Sequence, residues 1–145
     1  SNLIVASTKS LPDETLRAQL IEECKRTGKP FGLIFSEVAG GFTQTSRIMP
    51  NAFNVTPLLV YRVYVDGRPD EVVRGVDLIG TPLTTFGKIA ATGSRFDVFN
   101  GMCGAESGAV PVSAASPSIL VSEIEVQKKA RSQEKPPILP PPVKR

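Results

Sequence analysis

The sequence predicts an α+β fold: an antiparallel, β-rich domain, sheet-like or barrel-like, with two short helices. Three observations lead there. Strand-like apolar runs dominate, and only two segments repeat apolar residues at helical spacing. The clearest local signal is a hairpin, two β-rich runs around an Asp66-Gly67 turn. The resulting order, β-α-β-ββ-α-β-β-β, does not alternate as a doubly wound parallel sheet would.

"NLIVAST" (residues 2–8) reads as a first short strand. A helix should follow, with Ser10 as its cap, Asp13 three residues on, and Pro12 in the first turn. Leu16, Leu20 and Cys24 recur every four residues with Ile21 beside them, so one stripe faces a core. Gly28 and Pro30 end this helix. "FGLIFSEV" (31–38) is a strand, and "AGGFTQTSR" (39–47) reads as a loop rich in glycine and hydroxyl groups. Residues 49–56, with Pro50 and two asparagines, read as irregular. The hairpin arms span 58–65 and 71–79, and Pro69 lengthens the connection beyond two residues.

Thr81 caps a second helix, with Pro82 at its first position. Leu83, Phe86, Ile89 and Ala90 form its apolar stripe, and Gly93 is its stop. "RFDVF" (95–99) is a short strand, followed by the glycine-rich turn "NGMCGAESG" (100–108). "AVPVS" (109–113) is a strand that Pro111 restricts to an edge or bulge. "SILVSEIEVQKK" (118–129) reads as one long, mostly buried final strand. The proline-rich "EKPPILPPPVKR" (134–145) has a polyproline-type composition that cannot build a core.

A chain of 145 residues fits one domain with a proper core, and 41% hydrophobic with 21% charged residues suits a soluble globular protein. No apolar run approaches the roughly 18 residues of a membrane span, and residues 1–9 do not read as a signal peptide. The Ser1-Asn2 start resembles the remnant of a removed tag, so the sequence reads as a piece of a longer protein. Two cysteines, Cys24 and Cys103, are too few for a secreted disulfide framework and point to a reducing, cytoplasmic setting. The net charge of +3 is set by residues 128–145, which hold six basic residues and one acid. The first 127 residues hold eleven basic and thirteen acidic ones, so the body offers no basic face for nucleic acid.

Cys103 is the sharpest candidate for chemistry. A lone cysteine is more often a small buried hydrophobe, but glycines around it let the backbone approach another group. A nucleophilic thiol needs a base, normally histidine, and the chain has none. A metal site needs three or four ligands, so Cys103 alone completes no site. Cys24 falls on the apolar stripe and reads as core. Glu106 could be a ligand or an acid, though a solvated loop carboxylate is the plainer reading. Gly40 and Gly41 could let a peptide lie against the backbone or form a plain turn. Arg47 and Arg74 could bind a carboxylate, against the plainer reading of solvated surface cations. "PPILPPP" could be a ligand for a proline-binding domain, or a draped terminus.

"VVRGVDLIGTPLTTFGKIAATG", "NGMCGAESGAVPVSAASPSILVSEIEVQKK" and "KPPILPPP" together resemble the carboxy-terminal part of the TldD/PmbA family. That family comprises zinc metallopeptidases, also called modulators of DNA gyrase. The resemblance is carried from about Glu37 to the end and is expected to extend over the whole chain. It implies that residues 1–127 are the C-terminal domain of a TldD/PmbA-like protein and that 128–145 form a basic, proline-rich tail. TldD-type members carry H-E-x-x-x-H upstream of this region, with two zinc-binding histidines and a glutamate as general base. The third ligand is a cysteine in the glycine-rich segment, and Cys103 occupies the matching position. Retention of Cys103 places the chain nearer the TldD branch than the PmbA/TldE branch, which lacks the metal motif.

The resemblance further implies an extended peptide or unfolded polypeptide as substrate, added as a strand beside the site, with Gly40, Gly41 and Thr43 on its rim. It also implies a homo- or heterodimer with a TldD/PmbA-type subunit; the acidic body and the lack of a long apolar run, not the resemblance, argue against nucleic acid or membrane as a direct partner. Without histidine the chain departs from the motif: it would carry one ligand of three, bind no zinc by itself and be inactive alone. The alternative is a non-catalytic interaction or regulatory subunit of the PmbA/TldE type. A cysteine-based enzyme is a second rival.

Overall fold

A computed structural model describes residues 2–44, 51–105 and 108–129. The described residues form two sheets and two helices, in the order β1 (Asn2–Ile4), β2 (Ser10–Leu11), α1 (Asp13–Arg26), β3 (Phe31–Gln44), β4 (Ala52–Tyr64), β5 (Glu71–Val73), β6 (Val76–Gly80), α2 (Pro82–Gly87), β7 (Ile89–Ala105), β8 (Gly108–Val121) and β9 (Glu125–Lys128). One sheet runs β1-β8-β7-β2 and the other β3-β4-β6-β9, with β5 also on β4. Pairing is antiparallel except where β1 joins β8 and β2 joins β7. The predicted α+β class with an antiparallel framework is what forms.

Helix α1 starts at Asp13, after Pro12, rather than from a cap at Ser10. Ser10 instead pairs with Thr92 as part of β2. The amides of Thr15 and Leu16 donate to the Pro12 carbonyl, and the first-turn acids Asp13 and Glu14 suit the positive end of the helix dipole. The stop at Gly28 is as predicted and has a definite form. Gly28 takes φ +68°, its amide donates to the Lys25 carbonyl, and the Lys29 amide reaches back to Cys24. Those are the two bonds of a Schellman ending.

Two glycines let α1 rest on both sheets. A Cβ on Gly32 of β3 would stand 2.7 Å from Leu20 Cδ1 and 3.0 Å from Cys24 Sγ. One on Gly93 of β7 would stand 2.6 Å from Asp13 Oδ1 and 3.1 Å from Leu16 Cδ1. Gly93, expected to stop the second helix, is therefore a contact point for the first. Leu16 and Cys24 are buried beneath this contact, and Val60, Val63 and Leu120 complete the buried apolar set among the described residues. Their shared burial confirms the stripe read from α1.

Several expectations are corrected. The glycine-rich stretch after Val38 is no loop: β3 runs through it to Gln44, paired with β4. Register shifts between Phe35 and Gly40 absorb the irregularity there, and such bulges bend a strand. The stretch read as irregular around Asn54 is already strand β4, because Phe53 and Val55 find partners on both β3 and β6. The hairpin around Asp66-Gly67 forms, but its second arm breaks at Arg74 and Gly75 into β5 and β6. Helix α2 keeps Thr81 and Pro82 at its start but lasts only six residues. Leu83 and Phe86 are 86% and 63% exposed, so the expected apolar stripe is not core. Ile89 and Ala90 belong to β7. The final strand is two strands, β8 and β9, separated at residues 122–124. The break is anchored by Ser122, whose amide donates to the Lys88 carbonyl. The proline-rich tail and Arg47 lie outside the described residues, as does Glu106.

Candidate functional site

Cys103 does not sit in a turn. It lies near the end of β7, in a long antiparallel arm formed with β8, and pairs with Val110. Thirteen residues of β7 pair across this arm, from Ile89↔Val121 to Ala105↔Gly108. The small residues that suggested a turn are tolerated because the arm is a ladder held by backbone hydrogen bonds rather than by large side chains. Pro111 falls opposite Met102, beyond the stretch of β8 that β1 covers at Ser113–Ala115. That edge placement is the one the sequence required of it.

Alternation along β7 puts Phe99, Gly101 and Cys103 on one face of the arm, with Val110 and Val112 opposite them on β8. The Phe99 ring folds over Gly101. The Cys103 thiol is free and exposed, in contrast to the free but buried Cys24. Burial, then the negative charge of Glu23, push the Cys24 thiol above its usual range. Cys24 is thus an inert core residue and Cys103 is the accessible sulfur.

A thiolate is a good zinc donor, so Cys103 fits as one ligand. It does not make a site alone. Among the described residues no three His, Cys, Asp or Glu side chains gather to hold a metal, and the chain has no histidine. Cys103 thus has no second metal donor grouped with it among the described residues.

Gly40, Gly41 and Thr43 are brought together on β3, which is the terminal strand of its sheet. They are in the other sheet from Cys103, and among the described residues no strand pairing joins the two places. The glycines differ in what they face. A Cβ on Gly41 would stand 2.3 Å from the backbone oxygen of Asn54, so its small size serves the β3–β4 pair. A Cβ on Gly40 would meet nothing within 4 Å, and its φ of +151° suits glycine. Thr43 pairs with Phe53, and the exposed Phe42 adjoins it.

A cluster around Arg62 was missed in the sequence. Arg62 Nη1 donates to Glu71 Oε2 at 3.1 Å and to the Tyr64 hydroxyl at 3.3 Å, and its guanidinium lies 4.5 Å from the centre of the Phe31 ring. Tyr64 donates to the same Glu71 oxygen at 2.6 Å. This hydrogen bond first, and the Arg62 charge second, hold the Glu71 carboxyl below its usual range. Arg68 covers the Tyr64 ring from 4.4 Å. The signal was available: Arg62 and Tyr64 are two apart on one strand face, and the hairpin register brings Glu71 across from Arg62.

Residues 1–128 match the family described as the PmbA/TldA metallopeptidase C-terminal domain. No curated protein matches the chain.

Proposed function

The chain belongs to the family of PmbA/TldA metallopeptidase C-terminal domains, and from that premise we propose that it forms one wall of the peptide-cleaving cleft of a TldD-like zinc metallopeptidase. The observation that carries this reading is the exposed, free thiol of Cys103 near the end of a long two-stranded arm. An arm of that length can carry a ligand away from its own core toward donors on another domain. Cys103 is the proposed zinc ligand, and the resemblance supplies an upstream H-E-x-x-x-H for the other two ligands and the general base. Zinc bound there would polarise a water toward a pKa near 7 and a peptide carbonyl toward attack.

The chain's own residues have two tasks in this reading. Cys103 would hold the zinc through its thiolate, as one of the protein ligands. The terminal strand β3, at Gly40, Gly41 and Thr43, offers backbone donors and acceptors to an extended peptide or unfolded polypeptide. By itself the chain, with one ligand of three, hydrolyses nothing by this route. A cytoplasmic setting and pairing with a second TldD/PmbA-type subunit complete the proposal.

The test replaces Cys103 with Ala in the intact metallopeptidase. Zinc stoichiometry should fall. Peptide cleavage should drop by more than the roughly 10- to 100-fold that loss of a ligand's hydrogen-bonding support costs. Unchanged zinc content removes Cys103 from the site.

One observation favours a second reading, a non-catalytic subunit of the PmbA/TldE type. The arm exposes Phe96, Val98, Met102 and Val110, and the adjoining β1 exposes Leu3 and Ile4. Apolar surface of this kind is suited to burial against a partner. The residues upstream discriminate: H-E-x-x-x-H supports the enzyme, and its absence supports the partner.

A further inference from the structure

On the far side of β4 from β3, where β5 gives way to β6, an open cleft of about 470 Å³ is lined by residues from three parts of the chain. Arg62 comes from β4, Arg74 from the β5–β6 junction and Lys128 from the end of β9. Val72 and Val126 give it apolar walls, and Glu71 is the one acid among the described residues that line it. We propose that this cleft is a binding site for an oxyanion group, a carboxylate or a phosphate, held between Arg74 and Lys128 with Arg62 behind them.

Four features support the assignment. Glu71 already accepts from both Tyr64 and Arg62, so it does not neutralise the other two cations. Among the described residues neither Arg74 nor Lys128 is in an ion pair. Arg62 lines the same cleft and is fixed in place by the Phe31 ring and Glu71. Finally, the first 127 residues carry more acids than bases, so a cationic cleft contrasts with the charge of the body. A guanidinium and an ammonium beside apolar walls suit an anionic group carried on an uncharged body. Gly75, at φ +71°, turns the backbone there, and its carbonyl accepts from the Lys129 amide. That bond secures the end of β9, and with it Lys128, against the Arg74 junction.

This site is independent of Cys103 and of the β3 edge. The experiment titrates the 145-residue chain with two probes and follows backbone amide shifts. One is inorganic phosphate. The other is N-acetyl-Ala-Ala with a free C-terminal carboxylate, with the C-terminally amidated peptide as its control. The amides of Arg74, Gly75, Gln127 and Lys128 should move with an anionic probe and stay still with the amidated peptide. The R74Q/K128Q variant should bind at least tenfold more weakly, while K9Q binds as the parent does. Both altered side chains are exposed, and an otherwise unchanged amide spectrum verifies the fold. Tighter binding of the free-carboxylate peptide identifies a peptide terminus as the natural source, and tighter binding of phosphate identifies a phosphoryl ligand. If neither anion moves these amides, or if R74Q/K128Q binds as well as the parent, the assignment is overturned.

Discussion

The Phe99 ring occupies the space a side chain on Gly101 would need: a Cβ there would stand 2.9 Å from Phe99 Cε1. The two residues share a face of the β7–β8 arm with Cys103, two positions farther along. The glycine therefore has a packing role that its place in a small-residue segment did not suggest. It lets an aromatic ring lie along the strand and cover backbone that would otherwise be bare.

G101A tests that relationship. The obstructing atoms belong to a side chain that is 40% exposed, so the ring can swing away. The expected loss is about 1 kcal/mol, at the low end for overpacking. In a double-mutant cycle with F99A the two changes should couple by at least about 0.5 kcal/mol, since they meet at one contact. Chemical denaturation of the four proteins measures it, and additive effects would dissociate ring from glycine.

The two helices supply a second, paired prediction. Leu16 is 8% exposed and packs toward Gly93, so L16A should cost about 2–4 kcal/mol. Leu83 looks equally apolar in sequence but is 86% exposed, so L83S should change stability by no more than about 0.5 kcal/mol. Thermal or urea unfolding of both variants checks the contrast. A large loss in L83S would mean that α2 is packed.

That contrast shows what was legible in the sequence. The α1 stripe could be read because its apolar spacing recurs from Leu16 to Cys24 within a 14-residue helix that ends at a glycine with a definite role. Residues 82–93 mimic the same spacing, but the chain leaves the helix after Gly87 because Ile89, Ala91 and Thr92 pair with β8. Tertiary pairing overrides a short helical pattern. Gly40, Gly41 and Cys103 were misplaced for the converse reason: small residues suggest turns, whereas here a neighbouring strand keeps the backbone extended. Cys103 itself was identifiable from its segment. The Arg62 cluster needed the register across the hairpin, which propensity does not supply.

An ion pair gives a pH-dependent prediction. Arg17 of α1 donates to both oxygens of Asp70, at 2.8 and 2.7 Å, and so links the helix to the segment leading into β5. These hydrogen bonds, then the Arg17 charge, lower the Asp70 carboxyl below its usual range. The stabilisation is therefore complete above the unfolded value near 3.9 and lost as pH falls through the lower native value. The side chains are 44% and 30% exposed, which limits the effect of D70N at pH 7 to about 0.5–1 kcal/mol. The gap between parent and variant should close progressively below about pH 4. A gap that is constant down to pH 2 would assign the loss to something other than this pair.

The thiols provide the last test, which bears on the rival reading of a cysteine-based enzyme. Rapid alkylation of Cys103 relative to Cys24 is not by itself a mark of a nucleophile. Cys103 is exposed, whereas Cys24 is only 7% exposed, and burial raises the Cys24 thiol. Since the thiolate is the reacting form, Cys24 should label at least about tenfold more slowly for these reasons alone. The informative comparison is between Cys103 and a free thiol in the same buffer. An exposed cysteine on a strand, in a chain with no histidine to act as its base, should label with iodoacetamide within about threefold of glutathione at pH 7. Mass spectrometry of the labelled peptides gives both rates at once. A Cys103 rate far above that of glutathione would favour an activated nucleophile and count against its assignment as one arm of a metal centre.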